Sequence, residues 1–246
     1  MNEAMETIGK LRTVRRGNFS DKPIPPRELE TILGACIRAA NASARQSYSI
    51  IVVDEAVKRE LKWPGSCALL FCVDFSRLKR AADFLNQSFD SSHIQPFITG
   101  TIDTALAAQT AVIAAKSLGI DSRITNEVYT DEPAEIYRLL GLPEKYCFPL
   151  LLVSLGYPKN EPGPLKGRLT KGVIHYGRYE SLNPEELERM VLSYDDRQAH
   201  PGLIDNWERM GFSHYLEWFF GKWLPPLETR EKSRQIVELL ERTGIM

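Results

Sequence analysis

The sequence predicts a layered domain of the α/β or α+β class, and three observations carry that prediction. Helix-like and strand-like patterns alternate with no repeat period up to about residue 176. The apolar runs "YSIIVVD", "CALLFCVD" and "PLLLVSLGYP" each read as a buried strand. From Asn183 the texture becomes helical and aromatic, so a boundary is expected at 176/177, with a helical extension over 177–246.

Taken in order, "PPRELETILGACIRAA" puts Leu29, Ile32, Leu33, Cys36 and Ile37 on one helical face, with Pro26 suited to the first turn. The runs ending at Asp54 and Asp74 read as strands at the centre of a sheet. Arg77 to Ser88 is helical in pattern, and the Pro and Gly of "SSHIQPFITG" predict a loop before the next helix. "TIDTALAAQTAVIAAKSLG" is an alanine-rich helix whose small side chains allow close packing on both sides, closed by Gly119. "IDSRI" is a short strand, about Glu132 to Leu140 a helix, and the run closed by Gly156 and Pro158 the last strand. "NPEELERMVLSY" opens with an Asn cap, a Pro in the first turn and acidic residues that suit the positive end of a helix. The aromatic stretch from Trp207 to Trp223 recurs at helical spacing and reads as core or dimer interface before it reads as a substrate box. "TREKSRQIVELLERTG" is a charged amphipathic helix.

Composition narrows the function classes. With 246 residues and 43% hydrophobic content the chain can bury a full core. Lys and Arg number 31 against 32 acidic residues, for a net charge of −1, so a general nucleic-acid-binding surface is not expected. Cys36, Cys67, Cys72 and Cys147 form no C-x-x-C pair and no metal-ligand spacing with the histidines, and read as reduced core thiols. Cys67 and Cys72 stand five apart in a strand, on opposite faces, so a disulfide between them is not expected. No apolar run in the sequence approaches the roughly 20 residues of a membrane span, and the amino terminus does not read as a signal peptide. A cytoplasmic protein without membrane partners is the expectation.

Positive charge is concentrated locally. "LRTVRR" gathers Arg12, Thr13, Arg15 and Arg16, and "GPLKGRLTKG" places Lys166 and Arg168 two apart in a loop after the last apolar strand. Guanidinium forks match phosphate oxygens, so two basic clusters suggest one phosphate monoester, against the plainer reading of solvated surface charge. No Rossmann glycine fingerprint or P-loop is present. Arg45 and Arg123 read as ordinary surface cations, and His93, His175, His200 and His214 are not clustered in sequence.

Four segments, in order, resemble the FMN-dependent nitroreductases. "LRTVRRGNFSDKPIPPRELETILGA" is similar to that family's opening Arg-Ser-Ile-Arg motif, connector and first helix. "AANASARQSYSIIVVD" looks like its Pro-Ser-x-x-Asn-x-Gln-Pro-Trp loop and first strand. "DTALAAQTAVIAAKSLGIDSRIT" resembles its central helix and following strand, and "LLGLPEKYCFPLLLVSLGYP" its "LGLPE … LGYP" signature. The resemblance covers roughly residues 10 to 170 and implies an α+β, three-layer α/β/α fold with a mixed central sheet and a helical C-terminal extension.

The same resemblance implies bound FMN, NAD(P)H as electron donor, and a homodimer with the cofactor between subunits. It implies Arg12, Thr13, Arg15, Lys166 and Arg168 at the flavin phosphate. Ala40, Asn41, Ala42, Ala44 and Gln46 take the places of the ring-binding loop, usually supplied by the partner subunit. The backbone at Thr125, Asn126 or Glu127 takes the place that donates to the N5 region of the flavin. The sequence departs from the family where Ala40 replaces Pro, Ala44 replaces Asn and Ser47-Tyr48 replaces Pro-Trp, and Gly17 and Asn18 stand as an insertion. The implied activity is ping-pong electron transfer to a small electron-poor acceptor, a nitroaromatic or quinone. The alternatives are a flavin carrier or sensor without efficient turnover, or another flavin reaction such as reductive dehalogenation or flavin cleavage. No acid, base or nucleophile dyad is expected, because the flavin carries the chemistry.

Overall fold

A computed structural model gives the fold, describing residues 2–130, 133–160, 165–200, 204–224 and 226–246, with the side chains of 226–230 left aside. The chain forms two compact units: Met1–Pro162 together with Lys232–Met246, and Gly163–Glu231.

The first unit is built on β1 (Tyr48–Val52), β2 (Cys67–Asp74), β3 (Asp121–Thr125) and β4 (Cys147–Gly156), ordered β1-β2-β4-β3. Every ladder among these strands is antiparallel, with Ile50 opposite Phe71, Leu70 opposite Leu152 and Ile124 opposite Val153. The expected mixed sheet is therefore corrected to an antiparallel one. Parallel pairing among the described residues is confined to an isolated bridge between Thr13 and Ser122. The apolar runs misled because burial on both faces, not parallel pairing, makes a strand continuously apolar. Leu69, Phe71, Val153 and Leu155 face one core, while Leu70, Cys72 and Leu152 face the other. β1 is a second correction, since it lies at a sheet edge with its end residue Val52 exposed.

Helices cover both faces, as a three-layer fold requires. On one side lie α2 (Pro26–Cys36) and the long helix over Ile94–Ser117, with α1 (Glu3–Gly9) against that helix; on the other lies α6 (Pro133–Leu140), whose expected first residue, Glu132, falls outside the described residues. Short helices α3 (Glu55–Glu60) and α4 (Ser76–Phe84) follow β1 and β2. Cys67 and Cys72 sit in opposite cores, and all four cysteines are free.

The long helix α5 (Ile94–Ser117) overturns the loop expected at "SSHIQPFITG". Pro96 falls in the first turn, where a backbone N–H has no partner within the helix to lose. Gly100 is needed for packing, because a Cβ there would stand 2.7 Å from Val73 Cγ1 and 3.0 Å from Phe75 Cζ. The alanine face of α5 (Ala107, Ala108, Ala111, Ala115) is fully buried, as the sequence predicts. Its opposite face exposes Ile94, Ile98, Ile102 and Leu106, one residue per turn.

The second unit contains α7 (Pro184–Asp195) and α8 (Tyr215–Trp218). Asn183 and Glu186 form the reciprocal cap that starts α7. Trp207, Tyr215 and Trp218 form a small core with Tyr194, Phe212 and Phe219 around it, while Phe220 and Trp223 are exposed. Where the sequence drew its boundary at 176/177, the units divide otherwise. The terminal helix α9 (Pro226–Thr243) ends in the core of the first unit through Leu239, Leu240 and Ile245, and Tyr146 N donates to Thr243 O at 2.7 Å.

Candidate functional site

The opening motif is held as an extended segment beside the free edge of β3, where Val14 N donates to Ser122 O at 2.9 Å. Extended backbone alternates its side chains, so burying Val14 turns Thr13 and Arg15 outward together, and both are exposed. Arg12 is half-buried on the other side of the segment. Arg16 is committed elsewhere, its Nη2 donating to Lys62 O at 2.7 Å. Beyond it, Ser20 N donates to Tyr157 O at 2.7 Å and Lys159 N to Asn18 O at 2.8 Å. The inserted Asn18 thus ties the opening segment to the chain just after β4, and its Oδ1 accepts from Asn160 N at 3.2 Å. Two segments far apart in sequence, "LRTVRR" and "LGYP", become neighbours.

The loop 40–46 is stiff for its composition. Asn41 Oδ1 accepts from Gln46 N at 3.0 Å and Nδ2 donates to Ala39 O at 3.2 Å, so the Asn41 amide closes the loop itself. Arg77 Nη2 donates to Arg45 O at 3.0 Å and to Gln46 O at 2.7 Å. Ser43, Ala44 and Gln46 adopt left-handed φ values of 53°, 55° and 50°. Each such residue without glycine's freedom costs on the order of 1 kcal/mol or more, held here by the bonds around it. Ala40 and Ala44 are exposed and Ala42 is half-buried. The residue that sequence reasoning missed is Asp103, 1% exposed on α5, whose Oδ1 accepts from Ala42 N at 2.9 Å. Its Oδ2 is buried with no hydrogen-bond partner. A lone carboxylate amid "TIDTALAA" is the signal that could have marked it.

Thr125 ends β3, and its Oγ1 accepts from Glu127 N at 3.3 Å, while Asn126 Nδ2 donates to Tyr129 Oη at 2.6 Å. Arg123 pairs with Glu127 at 3.0 Å, as its surface reading predicts. A cleft of about 350 Å³ lies here, lined by Arg16, Lys62, Trp63, Arg123 and Glu127 among others.

Register measures the separation of these parts. Tyr48 aligns through Val73 with Phe148 of β4, whereas Ser122 aligns with Leu155. That interval is about 23 Å along the strands, and the opening segment lies four strand spacings from β1, about 19 Å. Loop 40–46 and "LRTVRR" therefore occupy opposite corners of the sheet.

In the second unit, Lys166 and Arg168 are exposed, and Arg168 Nη1 donates to the carbonyls of Lys166 and Gly167 at 3.3 and 3.0 Å. Gly163, which opens "GPLKGRLTKG", lies outside the described residues. Gly167 N donates to Ala199 O at 2.8 Å. A groove of about 520 Å³ runs past Arg168, Lys171, Leu182, Arg189 and Met190.

Titration shifts mark no nucleophile. Burial pushes the Cys36 and Cys67 thiols up to about 11, and Cys72 is raised by its contact with Cys147 and by burial, so none is a ready thiolate. No group of three or more His, Cys, Asp or Glu among the described residues could hold a metal ion.

No protein-family model matches the chain. It is 30% identical over 214 residues to a Cr(VI) reductase of Pseudomonas sp. (strain G-1), spanning 81% of this chain and 87% of that protein. It is 28% identical over 211 residues to an FMN reductase [NAD(P)H] of Bacillus subtilis (strain 168), spanning 81% and 82%. It is also 29% identical over 206 residues to an NADPH-flavin oxidoreductase of Vibrio harveyi, spanning 79% and 80%. Among solved structures, nitroreductase A of Vibrio parahaemolyticus superposes with a TM-score of 0.80 at 24% identity, covering 99% of this chain and 98% of that one. The NADPH:FMN oxidoreductase of Vibrio harveyi, complexed with NAD+, superposes at 0.78 with 23% identity, covering 99% and 98%. At these identities the structural likeness shows the fold.

Proposed function

The chain belongs to the nitroreductase family, and from that premise we propose that it is an FMN-dependent oxidoreductase carrying electrons from NAD(P)H to a small electron-poor acceptor. The nitroaromatic or quinone identity of the acceptor is part of the proposal. When bound, the flavin supplies the redox chemistry, accepting two electrons from the donor and releasing them to the acceptor.

This chain's residues fit the group. Thr13 and Arg15 share an outward face with a hydroxyl and a guanidinium, the donor set a phosphate monoester takes. Lys166 and Arg168 are assigned to the phosphate in this reading. Loop 40–46 contributes shape through its fixed backbone, since Ala40, Ala42 and Ala44 carry no polar side chain, and Gln46 remains its polar ring contact. Backbone at Thr125 and Asn126 is assigned to the edge of the ring, where a fixed N–H stabilises developing negative charge as an oxyanion hole does.

The observation that carries the reading furthest is the placement of loop and motif at opposite corners of one sheet. That separation supports a homodimer, in which a second copy supplies the loop to the cofactor. The stripe Ile94, Ile98, Ile102 and Leu106 gives it an apolar face to bury. The absorption spectrum of the purified protein, followed by NAD(P)H oxidation with nitro and quinone acceptors, tests the assignment. A protein that binds FMN and leaves NAD(P)H unoxidised with every acceptor would instead be a flavin carrier.

A further inference from the structure

Of the four histidines, His200 is held against the Lys166–Arg168 loop. Gly167 N donates to Ala199 O at 2.8 Å, and a Cβ on Gly167 would stand 2.4 Å from that oxygen and 3.3 Å from His200 Nδ1. Only glycine lets the loop come this close, so the backbone between the two cations is seated directly on the histidine. The imidazole also packs against Tyr194 of α7, ring centroids 4.2 Å apart and the planes at 67°.

We propose that His200 is the third partner, with Lys166 and Arg168, of the phosphate carried by the flavin. The inference rests on the reading of Lys166 and Arg168 as phosphate contacts. The charges around the imidazole support it. Burial first, then Arg168 and Lys166, hold its pKa below the ordinary histidine value. Asp196, the nearby carboxylate, is turned to the backbone N–H groups of Gln198 and Ala199 at 2.9 Å each. Arg197 pairs with Glu208 at 2.5 Å and lies over the Trp207 ring. Tyr194 contributes a neutral ring. An arriving phosphate reverses the balance, because an anion within a few ångströms favours the protonated imidazole. Binding is therefore coupled to uptake of a proton, and the affinity for the phosphate-bearing ligand rises as pH falls from 8 toward 6.5.

The test titrates FMN and riboflavin at pH 6.5 and pH 8.0 into wild type, His200→Gln, His200→Asn and Arg168→Ala. Riboflavin lacks the phosphate and reports any general damage to the fold. In wild type, FMN gains about tenfold in affinity over riboflavin on going to the lower pH, the scale of one charge-assisted hydrogen bond. Both His200 variants lose that gain, and the proton uptake that wild type shows when calorimetry is repeated in buffers of different ionisation enthalpy is lost in both. The phosphate's own protonation near pH 6 acts on all variants alike and works in the opposite direction. If Arg168→Ala separates FMN from riboflavin while the His200 variants keep the wild-type pH profile, the role of His200 is refuted and the phosphate reading stands. If Arg168→Ala weakens neither ligand, the phosphate reading falls and His200's role with it.

Discussion

Asp103 Oδ1 receives the backbone N–H of Ala42 at 2.9 Å, tying the middle of the longest helix to a loop of left-handed residues sixty-one positions earlier in the chain. A hydrogen bond to a charged acceptor contributes roughly 1.5–3 kcal/mol. Asp103→Ala should therefore reduce hydrogen-exchange protection at the Ala42 amide by about 10- to 150-fold. Asp103→Asn keeps an acceptor and removes a buried charge whose second oxygen lacks a partner, so its thermal midpoint should equal or exceed wild type. Unchanged protection in Asp103→Ala would show that other contacts hold the loop.

The structure gives neighbouring arginines different work. Arg15→Ala should weaken FMN by about 10- to 150-fold, leave riboflavin binding unchanged and leave the unfolding midpoint where it was. Arg16→Ala breaks the bond to Lys62 O and should lower stability by up to about 1 kcal/mol, with FMN affinity within about threefold of wild type. Parallel titration and urea unfolding check both, and the reverse pattern would reassign the motif.

Ile98→Glu and Ile102→Glu place charge on the exposed stripe of α5 without touching its buried alanine face. Sedimentation should give monomers for both, against a dimer for wild type. Dimers persisting in both variants would place the interface on another surface.

Reading this fold from sequence succeeded where periodicity and burial agree. α2, β2, β4, the alanine-rich part of α5 and the capped start of α7 were all legible, because each has one consistent pattern and clear end signals. The loop wrongly expected before Thr101 came from treating Pro96 and Gly100 as breakers, when one occupies a helix first turn and the other makes room for Val73 and Phe75. Strand direction was illegible because double-sided burial writes the same apolar run whichever way strands pair. At the site, Thr13 and Arg15 were legible as candidates, but their shared outward face follows from the extended backbone and the burial of Val14 that the structure gives. Asp103 and His200 became visible only in three dimensions, because their partners lie on other segments of the chain.

His214 Nδ1 lies 2.7 Å from Asp195 Oδ2, and that carboxylate, through its hydrogen bond first, raises the imidazole's pKa above 6.5. A histidine with a raised folded-state pKa stabilises fully below its unfolded value, and the contribution fades as pH climbs through the folded one. The urea midpoint of the second unit, followed by tryptophan fluorescence, should fall on going from pH 6 to pH 8.5. His214→Gln should flatten this dependence, and an equally steep decline in the variant would assign it to another group.

Leu240, 4% exposed in the core of the first unit, is the terminal helix's clearest anchor. Leu240→Ala should cost about 2–5 kcal/mol in chemical denaturation, the range for truncating a buried leucine. A cost below about 1 kcal/mol would mean that α9 is only loosely seated.

Because residues 232–246 finish the core begun by residues 1–162, the first unit is discontinuous in sequence, and this orders events during synthesis. The four strands emerge from the ribosome early, yet the cavity that Leu239, Leu240 and Ile245 fill stays open until the entire second unit has been translated. During that interval the nascent chain displays apolar surface that later helps to bury those side chains, which is when a growing polypeptide is most prone to aggregate and most suited to a chaperone. Slowing translation through 163–231 would lengthen the exposure, whereas supplying the last helix as a separate peptide would shorten it.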